Sequence, residues 1–253
     1  MPQPLSIQPG DTPFIELQSV DSTNNYARKQ IHAGLAQNGM AIFTHEQTEG
    51  KGQRGKIWAS EKDVNIALSI IINPHPLLLS QQFQLNACVA LATYNFFNLF
   101  AGDDTKIKWP NDLYWQDRKA GGILIENIVA GNGNWQWSII GIGININQTA
   151  FLPYLPNPVS LKQITGKNFD LTPLAKNLVG CFYKYWEQLI TSGFVSLYEQ
   201  YNQILYKKDK TVKLRKKNKT FEAKILKVSN MGKLVVQHVI EEEFDYGEIE
   251  WVI

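Results

Sequence analysis

The chain has 253 residues, 44% of them apolar, and a formal charge of +2. That length supports one good core and a small second domain, and so slight a basic excess excludes a general nucleic-acid binder, which needs strong positive charge on one face. No run of about 18 consecutive apolar residues occurs, which excludes a membrane-spanning helix.

In chain order, residues 14–20 alternate as a strand, and Asp21-Ser22-Thr23-Asn24 supplies N-cap candidates for a short helix over 26–36. Residues 39–45 form a second strand that feeds into a loop, Gly50-Lys51-Gly52-Gln53-Arg54-Gly55-Lys56-Ile57-Trp58. The apolar, β-branched run 64–73 predicts a buried strand stopped by Asn73-Pro74. Ser80 is expected to cap a helix reaching Phe100, with Leu85, Val89, Ala92 and Phe96 on its inner face. Residues 106–109 are a short strand ending at Pro110. Strands at 112–115 and 122–129 flank a hairpin-like Gln116-Asp117-Arg118-Lys119. Gly131-Asn132-Gly133-Asn134 then turns the chain into a long strand over 135–147. Thr172-Pro173 opens a helix toward Gly193, and another helix covers 194–206.

After Tyr206 the pattern holds only short strands, at 211–214, 220–228, 233–238 and 248–252, with a turn at Asn230-Met231-Gly232. Such spacing predicts a small barrel-like β domain over 206–253. Strands and helices mix without strict alternation over 1–205, which predicts an α+β domain with a mixed sheet backed by helices. Eight Lys/Arg between Lys207 and Lys219 precede an acidic run, Glu241-Glu242-Glu243 with Asp245. Cys88 and Cys181 stand far apart in apolar surroundings, so two buried thiols are expected. The four histidines are scattered, and no metal held directly by the protein is expected. Met1-Pro2-Gln3-Pro4 lacks the basic-then-apolar pattern of a signal peptide, so the cytoplasm is the expected compartment.

The loop from Gly50 to Trp58 invites chemistry. Its glycines let backbone N–H groups approach a ligand, while Lys51, Arg54 and Lys56 offer donors to an anion and Trp58 a flat apolar surface. The same composition also suits a solvated hairpin tip. Gly50 to Gly55 fits Gly-x-Gly-x-x-Gly as a string, but a β-rich run follows, so no helix N-terminus waits for a pyrophosphate and a dinucleotide fold is not expected. Further polar segments recur beside strands: Lys108-Trp109-Pro110-Asn111-Asp112, Lys119-Ala120-Gly121-Gly122-Ile123, and Gly141-Ile142-Gly143-Ile144-Asn145-Ile146-Asn147. Each has a plain reading, since Ser22 and Thr23 suit a helix cap, Lys119 a turn, and Asn145 and Asn147 a strand end. All five segments together are harder to explain that way.

Taken in order, these segments resemble the biotin–protein ligases, also called biotin–[acetyl-CoA-carboxylase] ligases. The glycine–basic loop is similar to that family's Gly-Arg-Gly-Arg-Arg-Gly-Arg-x-Trp signature. Lys-Trp-Pro-Asn-Asp followed by Lys-x-x-Gly-Ile-Leu is similar to its second signature, and Gly-Ile-Gly-Ile-Asn to its third. The resemblance runs from Ser19 to the C-terminus. It implies a catalytic domain shared by class II aminoacyl-tRNA synthetases and biotin–lipoate ligases, with an SH3-like β-barrel after it whose final strand includes Gly247-Glu248-Ile249.

The resemblance also implies two-step acyl activation. Biotin and ATP, with Mg2+, give biotinyl-5′-AMP and pyrophosphate, and a lysine amine of an acidic biotin carboxyl carrier protein domain then displaces AMP. A carboxylate needs no base to attack the α-phosphate, but charge must be neutralised as the bond forms. By position in the motifs, Lys119 is expected to contact both biotin and phosphate, with Arg54 as a second catalytic cation. Ser22, Thr23 and Gln47, with Asn24 beside them, are expected to bind the biotin ureido ring, and Gly50 and Gly122 to let backbone lie against it. Lys51, Gln53, Arg54 and Lys56 are expected to close over the adenylate, Trp58 to stack near adenine, and Asn111 and Asn145 to face the nucleotide. Asp112 is the expected base for the incoming amine.

The chain departs from the pattern in places. Lys51 and Lys56 replace arginines and lose the bidentate fork, and Gln53 replaces another arginine and loses its charge. Only about 18 residues precede the motif set, so binding to DNA is not expected. The basic stretch 207–219 is read as a solvated hairpin or as a steering surface for an acidic carrier. A homodimer is compatible with the sequence. The rival readings are a lipoate or octanoyl transferase of the same fold and a non-catalytic biotin-binding regulator; the glycine–basic loop argues against the first, and Lys119 with the intact loop against the second.

Overall fold

The computed structural model describes residues 12–131, 133–153, 155 and 157–252. A seven-stranded sheet runs in the order β1 (Phe14–Leu17), β2 (Ala41–Thr44), β3 (Asn65–Ile72), β7 (Trp135–Asn145), β6 (Arg118–Val129), β5 (Asp112–Trp115) and β4 (Thr105–Lys108). Among these described strands β1 and β2 pair in parallel and the other neighbours antiparallel, so the sheet is mixed, as the irregular alternation predicts. The central strands β3 and β7 are buried on both faces, and their isoleucine-rich sequences follow from that.

Helices divide between the faces. Helix α1 (Thr23–His32) covers part of one face through Ala27, packed with Met40, Ile42, Ile71 and Ile139. The opposite face carries the main core, with α2 (Gln82–Ala101) and α4 (Leu171–Ser192) packed against it, followed by α5 (Val195–Gln203). A one-turn-plus helix, α3 (Leu161–Thr165), lies between β7 and α4. Helix α2 is apolar nearly all round because it is enclosed by sheet and by other helices.

Two expected caps are corrected. Ser80 lies in a single 3-10 turn, and α2 starts after Gln81, whose side chain accepts from the Leu78 N–H at 2.9 Å. Helix α4 begins at Leu171 after Asp170, so Thr172 is inside the helix, where its hydroxyl donates to Glu16 at 2.8 Å. Cys88 is buried as expected, but Cys181 is only half-buried. The expected turn at Gly131-Asn132-Gly133-Asn134 includes Asn132, and the N-terminal Met1-Pro2-Gln3-Pro4 precedes residue 12; both lie outside the described residues.

The C-terminal strands form an antiparallel sheet in the order β11 (Glu241–Phe244), β10 (Leu234–Gln237), β9 (Lys219–Val228), β8 (Thr211–Lys216) and β12 (Glu250–Trp251). These five strands are the small antiparallel β unit expected at this end of the chain; among the described residues no ladder joins β11 to β12. The acidic run is itself a strand: β11 pairs with β10 and anchors it through buried Phe244. Leu214, Ile225, Val228, Leu234 and Phe244 merge with the main core. Around residue 205 the chain is held: the Ile107 N–H donates to Ile204 O at 3.1 Å and the Tyr206 N–H to Ile107 O at 2.8 Å.

Buried Asn202 ties α5 to β9 by accepting from the Val228 N–H at 2.7 Å and donating to Val228 O at 3.1 Å. Asn202→Leu would leave both main-chain groups without a partner. It is expected to cost about 2–4 kcal/mol, read as a lower urea midpoint at unchanged m-value.

Candidate active site

Part of one face of the large sheet carries little side-chain bulk at its centre. Direct pairing sets Ala67, Gly143, Gly122, Asp112 and Lys108 in one row across β3, β7, β6, β5 and β4. The next row holds Ser69, Gly141 and Leu124. At a strand spacing of about 4.8 Å, the floor from β3 to β5 is roughly 14 Å long. A Cβ at Gly141 would come within 2.5 Å of the Asn24 amide, and one at Gly143 within 2.5 Å of the Trp58 indole. Glycine here makes room for groups that lie flat on the sheet.

The end of the cleft under α1 is polar. The helix starts at Thr23, and Ser22 at its N-cap makes no side-chain cap bond, so the plain capping reading of this motif does not hold. Ser22 is buried, and its N–H donates to Asp21 at 2.8 Å. The Thr23 N–H donates to Gln47 Oε1 at 2.9 Å, and its hydroxyl lies 3.1 Å from the same oxygen. Ser69 Oγ is 2.8 Å from Thr23 Oγ1 and 2.6 Å from Asn24 Oδ1. The Asn24 amide donates to Glu126 Oε2 at 2.7 Å, and Arg28 holds Oε1 of the same carboxylate at 2.8 Å. Ser69, Arg28 and Glu126 were missed in the sequence. A lone hydroxyl inside an otherwise apolar strand was the available signal for Ser69.

The opposite end is charged, and a β-bulge places its lysine. Gly121 pairs with Leu113 but Lys119 pairs with Tyr114, so Ala120 is an extra residue. Alternation alone would put Lys119 and Gly122 on opposite faces. The extra residue reverses that parity and turns Lys119 onto the cleft side. There Lys119 Nζ donates to Asp112 Oδ1 at 2.6 Å.

The glycine–basic loop is a closed hairpin over this floor. Gly50 and Trp58 pair through the Trp58 N–H at 2.9 Å, and the Gly52 N–H donates to Lys56 O at 2.7 Å. A Cβ at Gly50 would strike the Trp58 carbonyl. The turn is a single 3-10 turn over Gln53–Gly55, with Arg54 in the left-handed region at φ 55°. Arg54 reaches the second sheet: it donates to Tyr246 O at 2.9 Å, stacks 4.5 Å above the Tyr246 ring and lies against Gly247. Lys51 donates to Asn25 Oδ1 at 2.6 Å, and Lys56 is exposed. Gln53 donates to Ile123 O at 3.3 Å, while its Oε1 and the Trp58 indole N–H are buried without a protein partner.

Asn111 and Asn145 engage their amide donors on the main chain. Asn111 donates to Ile123 O at 2.6 Å, and Asn145 to Val159 O at 3.1 Å and Lys119 O at 3.4 Å. They hold the strand that carries Lys119 and Gly122. No group of three or more His, Cys, Asp or Glu able to hold a metal occurs among the described residues. Beyond Trp58, a cavity of about 270 Å³ is lined by Ala59, Ser60, Gln148 and Phe151.

Residues 16–145 match the biotin/lipoate A/B protein ligase family. The chain is 33% identical over 187 residues to the biotin–[acetyl-CoA-carboxylase] ligase of Paracoccus denitrificans, covering 72% of this chain and 76% of that protein. The chain belongs to the biotin/lipoate A/B protein ligase family. It is also 29% identical over 223 residues to the bifunctional ligase/repressor BirA of Bacillus spizizenii, covering 87% of this chain and 68% of that one. The biotin protein ligase of Aquifex aeolicus, solved with biotin and ATP, matches with a TM-score of 0.79 over 94% of this chain and 97% of its own. At 23% identity that likeness shows the fold alone. No helix among the described residues is long and apolar enough to cross a membrane.

In this member of the biotin/lipoate ligase family a second lysine stands beside the cleft. Lys108 is 6% exposed, with Nζ 3.0 Å from the Tyr114 hydroxyl, 4.5 Å from the Tyr114 ring and 5.2 Å from the Trp251 ring. Burial pushes its ammonium down to about 8, Asp112 opposes that shift, and Lys119 and Lys56 add to it. The folded protein therefore holds this proton less tightly than the unfolded chain. The penalty is complete below pH 8 and is relieved as pH rises toward 10.5. Lys108→Met is expected to abolish this gain. Urea unfolding from pH 7 to 10.5 should show wild type rising relative to the variant by at most about 3 kcal/mol.

Proposed function

We propose that the chain is an ATP-dependent biotin–protein ligase, which activates biotin as biotinyl-5′-AMP and transfers the biotinyl group to a lysine of a biotin carboxyl carrier domain. The observation that carries this reading is the cleft itself. A glycine floor joins a fixed hydrogen-bonding end to a lysine–carboxylate pair, Lys119 and Asp112. The family membership and the activity named for the Paracoccus relative support it. Residues 1–205 form the catalytic part in this reading and 206–253 an SH3-like cover. The cytoplasm, where ATP is plentiful, suits the reaction.

The bicyclic head of biotin lies under α1, where Ser22, Thr23, Asn24 and Gln47 meet its ureido group, and its chain runs over Gly143 and Gly122 toward Lys119. A carboxylate oxygen of biotin attacks the α-phosphorus of ATP, and the bond to pyrophosphate breaks. Lys119 and Arg54, with Lys51 and Lys56, neutralise the charge that builds on the phosphoryl oxygens. Mg2+ enters as part of the Mg–ATP substrate. Arriving phosphate competes for the Lys119 ammonium and releases Asp112. The freed carboxylate takes a proton from the carrier lysine, whose neutral amine attacks the anhydride carbonyl as the bond to AMP breaks.

An apo carrier domain incubated with the protein, biotin and Mg-ATP is expected to gain the mass of one biotinyl group; no gain with wild type overturns the reading. Lys119→Ala is expected to slow biotin-dependent pyrophosphate exchange by about 10²–10³. Asp112→Asn is expected to form adenylate yet fail at transfer from preformed biotinyl-5′-AMP, and full transfer would remove its assigned role. Activity with lipoate or octanoate alone would favour the transferase of the same fold.

A further inference from the structure

The polar end of the cleft is a chain of three oxygen-to-oxygen contacts: Asn24 Oδ1 to Ser69 at 2.6 Å, Ser69 to Thr23 at 2.8 Å, and Thr23 to Gln47 Oε1 at 3.1 Å. Its two ends are amide oxygens, and each is fixed by a neighbour. The Thr23 main-chain N–H turns Gln47 so that its oxygen faces the helix. Glu126, a carboxylate with nothing to donate, takes the Asn24 amide N–H and so turns the Asn24 oxygen toward Ser69. Arg28 in turn holds Glu126 in place.

Proton bookkeeping then decides what the site can bind. The Ser69 hydroxyl proton goes to Asn24 Oδ1, which can only accept. The Thr23 hydroxyl proton serves either Ser69 or Gln47. Three contacts share two protons, and one contact lacks a hydrogen. Rotating the Asn24 amide by half a turn would supply the missing proton, but it would set Asn24 oxygen against the Glu126 carboxylate. The carboxylate therefore leaves lone pairs on Ser69 and Thr23 in need of a donor.

We propose that Glu126, held by Arg28, is a specificity-determining positioning residue. By orienting Asn24 it leaves the hydroxyls of Thr23 and Ser69 short of a proton, so the cleft selects a head group that brings N–H donors. The ureido group of biotin carries two such N–H groups, whereas the dithiolane of lipoate carries none. This inference rests on the biotin ligase reading and deepens it. Glu126 touches no reacting atom and acts through Asn24.

The test is acid-dependent pyrophosphate–ATP exchange with biotin and with lipoate. In Glu126→Gln the side chain offers an N–H or an oxygen, Asn24 keeps only a long 3.5 Å contact from its amide to Leu124 O against turning, and the proton deficit can be relieved. The KM for biotin is expected to rise about tenfold, with kcat at saturating biotin within about twofold, and the preference for biotin over lipoate to fall about tenfold. In an Asn24→Ala background Glu126→Gln should change the biotin KM no further. Additive effects of the two substitutions would overturn the route through Asn24. Ser69→Ala, which keeps the strand position, gives a second reading of selectivity should Glu126→Gln melt early. An active wild type with unaltered selectivity in both variants overturns this inference alone, whereas a wild type without biotin-dependent exchange overturns the ligase reading beneath it.

Discussion

Two adjacent glycines at the centre of a sheet row leave a gap that something must cover, and much of this molecule is organised around covering it. Gly143 and Gly122 remove the groups that would otherwise fill the space above β7 and β6, so something from elsewhere in the chain must lie there. In this structure that group is the indole of Trp58, delivered by the glycine–basic hairpin. The hairpin, the start of α1 and the Lys119 strand all meet over this gap. The ligand that takes the cleft must displace or share the place of an aromatic ring, so its apolar part has to repay a desolvated stacking contact.

Charge follows the same layout. The cations that would meet phosphate come from two directions: Lys119 from the sheet and Arg54 from the hairpin above it. Lys108, from the edge strand, lies in the row of Asp112 and Gly122, walled by Tyr114 and Trp251 and almost fully buried. Its side chain packs against Trp251 of the last strand and so bridges the two sheets. Asp112 lies between Lys108 and Lys119 along this edge and tempers the repulsion between them.

Period and composition made the large sheet and its long helices legible, because buried strands such as β3 and enclosed helices such as α2 carry their burial in their residue types. Charge-rich β11 was not legible: three glutamates oppose strand propensity, and what holds the segment is pairing with β10 and one buried phenylalanine. Caps misled for a related reason, since Ser80 and Thr172 have the right chemistry but sit one and two residues from the position that caps each helix. Motif order singled out Lys119, yet the face it takes depends on the extra residue at Ala120, without which a count of alternating positions sets Lys119 opposite to Gly122. The partners of Asn24 escaped because they are 45 and 102 residues away in the chain, and only the folded sheet brings them together.

The grip on Arg54 has a consequence for how this protein tolerates change. Its hydrogen bonds go to main-chain carbonyls of Tyr246 and Gly247, which any residue supplies, so a change at position 246 keeps them and loses the ring contacts to Arg54 and Trp109. Position 247 has no such freedom. Its backbone is left-handed at φ 85°, and any side chain there would occupy the space of the guanidinium. A single hydrogen atom at the second sheet thus decides whether the hairpin 193 residues earlier in the chain has a place to rest.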